Sequence, residues 1–280
     1  MTPSERRILS KLQISQVVKM EQKITKLEPS LDLGILIGLL LTDGCVSFSS
    51  RSWRITFSGK SEELLELFKQ KMESLFGIKK FSEWTDEFGV KSLQVRQKQV
   101  ASQLLTLVPT FRTKPFKDGT FPPVKLPEFF STLPISELAK VMQAMFSADG
   151  SIVLGVKWRK DKRMWVFTRR VCFTSVTLSL KKQVTQILEE KFGMKPQIWK
   201  HDVVLERKSD IIKFKQVIGF VDRVQISKKS KVWEGFEKTQ ILDLAIKTLD
   251  FKKRDLQRFE TREDIISFLK SFLAPVVVAS

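Results

Sequence analysis

The chain has 280 residues, 42% of them apolar, and sets 49 lysines and arginines against 31 aspartates and glutamates for a formal charge of +18. That length and apolar content suit a packed core in about two ordinary domains, and the charge points to a polyanionic partner, most simply nucleic acid, with an anionic membrane surface as the competing explanation. The composition leaves little room for other chemistry. Cys45 and Cys172 are the only cysteines and form no C-x-x-C pair, and the only histidine is His201, so a disulfide framework, a zinc site and Ser-His or Cys-His nucleophiles are not expected.

In chain order, the opening MTPSERRILSKLQISQ has no continuous apolar stretch and no small-residue cleavage site, so an intracellular, unsecreted protein is expected, with a charged helical extension over residues 1–30. The longest apolar run, LGILIGLLL at 33–41, falls far short of the roughly 20 residues needed to span a bilayer. It belongs to an apolar helix that ends in IGLLLTDG (37–44). Asp43 stands in the last turn, where the macrodipole makes a negative charge unfavourable by roughly 0.3–1 kcal/mol. Gly44 behind it is the residue type that stops a helix in the left-handed region. The charge needs a compensating partner. CVSFSSRSWRITFS then alternates, Val46 and Phe48 on one face, Trp53, Ile55 and Phe57 on one face of the return strand, and Arg54, Thr56 and Ser58 opposite, predicting a hairpin. FSGKSEELLELFKQKMESLFGI (57–78) predicts a strand end, an amphipathic helix and a Phe-Gly stop, and LQVRQKQV (93–100) a second strand pair leading into a helix. The prolines at 115, 122, 123, 127 and 134 make the next stretch an ordered linker rather than a helix or central strand.

The chain then repeats itself. VMQAMFSADGS (141–151) is again an apolar helical stretch running into Asp-Gly, at Asp149-Gly150, and FTSVTLSLKKQVTQILEEKFGM (173–194) aligns without gaps to 57–78. Between them the hairpin SIVLGVKWRKDKRMWVFTRRVCF carries an insertion and a basic run of Lys157, Arg159, Lys160, Lys162, Arg163, Arg169 and Arg170. VLERKSDI (204–211) is set against 93–100, which brings Arg207 opposite Arg96. Cys45 and Cys172 read as small buried hydrophobes, and His201 as an exposed or hydrogen-bonded histidine. The expected division is an extension over 1–30, a first half over 31–114, a linker over 115–134, a second half over 135–234 and a helical extension over 235–280.

Gly34 and Gly38 in one motif helix, and Ala144, Ser147 and Ala148 in the other, surrender side-chain volume at a cost of about 1 kcal/mol per interior glycine. Close helix packing explains that, and it brings Asp43 and Asp149 side by side at two negative helix ends. Two such carboxylates repel, and a divalent cation held by hard oxygen ligands resolves the conflict.

LIGLLLTDG (36–44) and MQAMFSADG (142–150) resemble the two LAGLIDADG motifs of the single-chain homing endonucleases, over about residues 30–235. The resemblance implies an α+β fold of two pseudo-symmetric αββαββα halves whose sheets form a saddle on DNA. It implies a monomeric, site-specific double-stranded DNA endonuclease cutting a long asymmetric target. Asp43 and Asp149 would be catalytic and hold Mg²⁺ (or Mn²⁺), with Gly44 and Gly150 beside them in the metal site. Lys114 and one of Lys228 and Lys229 would polarise the water network or simply contact phosphate, and Ser61 and Thr177 stand where the family often has a glutamine. Base readout would fall to Arg51, Arg54, Gln94, Arg96 and Lys98 in the first half and Lys157, Arg159, Arg169, Lys200 and Arg207 in the second. The same scaffold also serves an RNA maturase, with intron RNA as partner, or a regulator that binds DNA without cutting it.

Overall fold

A computed structural model of the protein describes residues 27–49, 52–111, 119–121, 123–227 and 230–273. The expected N-terminal extension therefore lies outside the described residues up to position 26, as do Arg51, Lys114, Lys228 and Lys229.

The first half runs α1 (Leu31–Thr42), β1 (Gly44–Ser49), β2 (Ser52–Gly59), α2 (Glu62–Phe76), β3 (Ser82–Thr85), β4 (Lys91–Val95) and α3 (Lys98–Leu107). The second half repeats the order as α4 (Ile135–Asp149), β5 (Gly150–Arg159), β6 (Met164–Thr174), α5 (Leu178–Glu190), β7 (Gln197–Ile198), β8 (Asp202–Leu205) and α6 (Lys208–Val217). Each half has one four-stranded antiparallel sheet, ordered β1-β2-β4-β3 and β5-β6-β8-β7.

Local chemistry explains the elements. Ser30 caps α1 by accepting a hydrogen bond from the Leu33 amide at 3.3 Å. From Leu33 to Thr42 every residue of α1 is buried, as a helix apolar on all sides must be. In β2, Ile55 and Phe57 are fully buried and Arg54, Thr56 and Ser58 face outward, so the alternation predicted for this hairpin holds. Phe57 stacks on Phe68 of α2 with ring centroids 5.1 Å apart. The equivalent Phe173 packs on Phe146 of α4 at 5.3 Å, burying apolar area at the heart of each half. Gly77 ends α2 at φ 65°, the left-handed stop expected after Phe76.

The linker is ordered where it is described. Val124 and Leu126 are buried, and Gln183 of α5 accepts from the Leu126 amide at 2.8 Å and donates to the Val124 carbonyl at 2.9 Å.

After α6 come α7 (Lys238–Lys247), α8 (Lys253–Gln257) and α9 (Arg262–Ser271), which cover β5 and β6 of the second half. Trp233 donates from Nε1 to the Leu154 carbonyl at 2.7 Å, Arg262 to that of Val156 at 3.3 Å, and Phe251 meets Phe167 edge-on at 6.0 Å. This cover accompanies longer strands: β5 and β6 have 10 and 11 residues against 6 and 8 in β1 and β2. No helix among the described residues is long and apolar enough to cross a membrane.

Candidate active site and nucleic-acid interface

The two motif helices pack directly on each other, and glycine makes that possible. A Cβ on Gly34 would stand 2.7 Å from Val141 Cγ2, and one on Gly38 2.9 Å from Met145 Cγ, so α4 drops its side chains onto bare backbone of α1. The contact carries both acidic ends into one cleft of about 810 Å³ that Asp43, Asp149, Lys60, Ser61 and Lys238 help to line.

At each end the chain turns from helix to strand within one residue. Neither glycine uses the left-handed region, contrary to the expectation for Gly44: Gly150 is extended at φ −93°, and Gly44 is absent from the positive-φ glycines of the described residues. They are required for space. A Cβ on Gly44 would lie 2.4 Å from Leu40 Cα, and one on Gly150 2.3 Å from the Phe146 carbonyl oxygen, because the strand folds back across the final helical turn.

Both carboxylates are half-buried. Burial raises Asp43 above the ordinary carboxylate range, with Lys238 acting against it. Asp149 is pushed up to about 7, by burial first and by the charge of Asp43 second. Lys238, 8% exposed, is drawn down to about 8 by burial despite the two carboxylates. Its ammonium donates to the main-chain carbonyls of Ser147 and Gly150, each at 2.6 Å.

Among the described residues no cluster of three or more His, Cys, Asp or Glu exists to hold a metal. Two carboxylates in one open cleft, the charge of Asp43 raising Asp149, with water and phosphate oxygens to complete the shell, are nonetheless a hard-oxygen donor set fit for Mg²⁺ or Mn²⁺. Of the glycines expected beside the metal, Gly150 accepts at its carbonyl from Lys238, and Gly44 stands opposite Phe57 as the first residue of β1.

The expected base-reading residues divide by face. In the first half Arg54, Gln94 and Arg96 share the outward face of the sheet. Gln94 donates to Thr56 at 3.4 Å, Arg96 donates to Gln94 at 3.3 Å, and Arg54 Nε is buried without a protein partner. Lys98 is exposed at the start of α3, beside Trp53 and Arg96. In the second half Lys157 is exposed on the outward face, Arg159 is on the same face but ion-paired to Asp161 at 2.6 Å, and Lys200 is exposed in the β7–β8 turn.

Two assignments are corrected. Arg169 lies opposite Leu154 on the helix-covered face, bonded through Nε to Thr248 Oγ1 at 2.7 Å and stacked over Phe167 at 4.7 Å, because an arginine two residues before Val171 must share its inward side. Arg207 is not the partner of Arg96. Phe57 pairs with Leu93 and the equivalent Phe173 with Val203, which matches Arg96 to Glu206 and leaves Arg207 as the N-cap of α6, beside Gly193 and Lys195.

The outward cation that sequence reasoning left off its base-reading set is Arg170, 4.4 Å over the Trp199 ring and 3.2 Å from Glu206. Lys60 was also missed, although it immediately precedes Ser61, and its ammonium donates to the Phe88 carbonyl at the cleft rim. Ser61 itself caps α2, whereas Thr177 is buried at the start of α5. Cys172 is buried, its thiol pushed up to about 11 by burial. Cys45 is only half-buried, paired with Thr56 on the outward face, and not a core residue as expected. His201 is exposed.

Among curated proteins, none matches this sequence. Solved structures of similar fold include the LAGLIDADG meganuclease I-AabMI bound to uncleaved DNA (TM-score 0.50, 12% identity, 87% of this chain and 99% of that one). Others are I-DmoI in complex with DNA and Mn (0.46, 16%, 68% and 96%) and I-WcaI bound to its DNA recognition sequence (0.45, 13%, 74% and 90%). The model of the LAGLIDADG-like domain matches residues 30–96 and 136–239, more than half of the chain. With paired acidic helix ends, a duplicated αββαββα core and that match over most of it, the chain belongs to the LAGLIDADG family.

Proposed function

We propose that this protein is a site-specific endonuclease that cuts both strands of double-stranded DNA at a long, asymmetric target. The observation that carries the reading is the meeting of two half-buried carboxylates, one from each repeat, in a cleft between two sheets with cationic outward faces. A protein that only bound DNA would gain nothing from two acids set against phosphate.

Asp43 and Asp149 would hold Mg²⁺ or Mn²⁺. When bound, the ion supplies an activated water and stabilises the oxygen that leaves phosphorus as a P–O bond breaks. The chain's own residues do the rest. Lys60 and Lys238 place positive charge at the rim and the floor of the cleft, where phosphate would enter. Lys114 is a further candidate for steadying water or phosphate, as are Lys228 and Lys229, whose neighbours Ser227 and Ser230 line the cleft. Arg54, Gln94, Arg96 and Lys98 would contact one half-site, and Lys157, Arg159, Arg170 and Lys200 the other, in base edges or in phosphates. Unequal hairpins make the two half-sites unequal, so one chain acting as a monomer suffices. The proposed working division is the two halves, joined by the proline-rich linker, inside the cell.

The test is cleavage. Sites selected from a randomised DNA library with Mg²⁺ should be cut on both strands, and Asp43→Asn or Asp149→Asn should lower the rate by about 10³-fold or more, the loss of several kcal/mol of metal assistance, while binding persists. Full activity in either variant overturns the assignment of the acids. Specific binding with no cleavage of any DNA would leave a regulator, and specific binding of intron RNA alone a maturase.

A further inference from the structure

Lys238 lies in the stretch beyond the second repeat's last helix, yet it reaches the acidic centre. Its residue is fixed at both ends: the backbone amide donates to the Val224 carbonyl at 2.8 Å, and the ammonium bonds the carbonyls of Ser147 and Gly150, 91 and 88 residues away in sequence. It lines the same cleft as Asp43 and Asp149 and sits 5.7 Å from the Phe220 ring centroid. The first half offers no counterpart among the described residues: at the equivalent end, the Asp43 carbonyl accepts from the Ser58 amide of its own sheet at 3.0 Å.

The charges around this lysine do not balance without it. Two carboxylates and the carbonyl ends of two helices converge there, each helix end worth about half a negative charge, and a lysine is rarely buried without anionic partners. A bond to two carbonyls alone would make Lys238 a cap for α4. It also lines the one cleft into which both carboxylates open, and that gives it a second role.

We propose that Lys238 is an internal cation that holds the acidic pair together in the metal-free protein and weakens the attraction of the centre for a divalent ion. The inference rests on the reading that Asp43 and Asp149 bind a metal. An ammonium at the floor of the cleft offsets part of the negative potential that would otherwise draw in the ion, so the centre stays assembled when empty and takes up metal less tightly than the two acids alone would.

The experiment uses the full chain, stripped with EDTA and titrated with Mn²⁺, followed by thermal unfolding and by the paramagnetic signal of free Mn²⁺, with no DNA and no cleavage readout. Lys238→Met is expected to lower the metal-free Tm, to bind Mn²⁺ about tenfold more tightly, and to gain more Tm on adding it than the wild type does. Lys238→Met combined with Asp149→Asn should be more stable in the metal-free state than the sum of the two single effects gives, since the two charges are removed together and their effects are not additive. A Lys238→Met protein with wild-type Mn²⁺ affinity, or one unfolded with and without Mn²⁺, or a double variant whose two single effects simply add, overturns the inference and leaves a helix cap. If the wild-type response to Mn²⁺ survives Asp43→Asn and Asp149→Asn unchanged, the metal reading itself fails.

Discussion

The Asp43 end and the Asp149 end follow one local rule and differ in what surrounds it. In both, an apolar helix runs to an acid, a glycine admits the returning backbone, and a strand begins at once. At the Asp149 end Ser147, 1% exposed, bonds the Gln143 carbonyl and the Val221 amide, and Lys238 takes two further carbonyls. The second end is thus laced into the C-terminal segment, whereas the first is tied to its own sheet. The same contrast exists within α1. Asp32 in its first turn, although burial raises it, is held below the ordinary range by hydrogen bonds from Lys71 at 2.7 Å and Ser74 at 2.6 Å, while Asp43 at the opposite end is raised. An acid where helix polarity welcomes it is structural, and an acid where polarity opposes it calls for a function.

The rule shared by the two ends is the easiest to break. Gly44→Ala and Gly150→Ala each force a Cβ onto backbone that cannot yield, and each should cost about 3 kcal/mol or more in chemical denaturation. Gly38→Ala meets side chains rather than backbone, Met145 Cγ at 2.9 Å and Val141 Cγ1 at 3.6 Å, and regains about 1 kcal/mol of helix propensity, so it should cost less than either, about 1–2 kcal/mol. Equal losses at all three positions would show that space, not the helix-to-strand turn, is limiting.

The electrostatic difference is next in size. Because Asp149 stands at about 7 when folded against 3.8 as its reference, the folded protein keeps a proton that the unfolded chain releases. Its contribution to stability therefore falls as pH rises from about 4 to 7 and is level above that, a range in which Lys238, at about 8, remains charged. In EDTA, Asp149→Asn should stabilise the protein at pH 8 by about 2–4 kcal/mol, roughly 5–10 °C in Tm, and leave it unchanged at pH 4. A constant difference across this range would contradict the burial of that carboxylate.

The smallest effect separates two neighbouring arginines. Arg169→Ala should cost about 1–2 kcal/mol of stability through its bonds to Thr248 and leave the salt dependence of DNA binding unchanged. Arg170→Ala, on the outward face, should leave stability within about 0.5 kcal/mol and weaken DNA binding, with a shallower slope against salt if its contact is to phosphate.

That pair also marks how far the sequence could be read. The duplicated Asp-Gly ends, the hairpin alternation and the Phe-Gly stops were legible because each is a local signal, and they suffice for both αββαββα units. Arg169 was misplaced although its phase with Val171 and Phe173 put it inward: the presumption that a basic residue faces solvent overrode the alternation. The one-residue slip over 204–211 has a different cause. Val203, Val204 and Leu205 are all buried, so that strand shows no alternation from which register could be fixed. Lys238 was beyond reach, since its partners Ser147 and Gly150 are 91 and 88 residues away in sequence.

The claim that the two acids form one metal centre is tested most directly by soaking crystals of the protein with Mn²⁺ and locating the ion by its anomalous scattering. The account predicts density within about 2.0–2.6 Å of carboxylate oxygens of both Asp43 and Asp149, in the cleft where Lys238 lies. Mn²⁺ bound elsewhere, with the two carboxylates engaged only by protein, would contradict it.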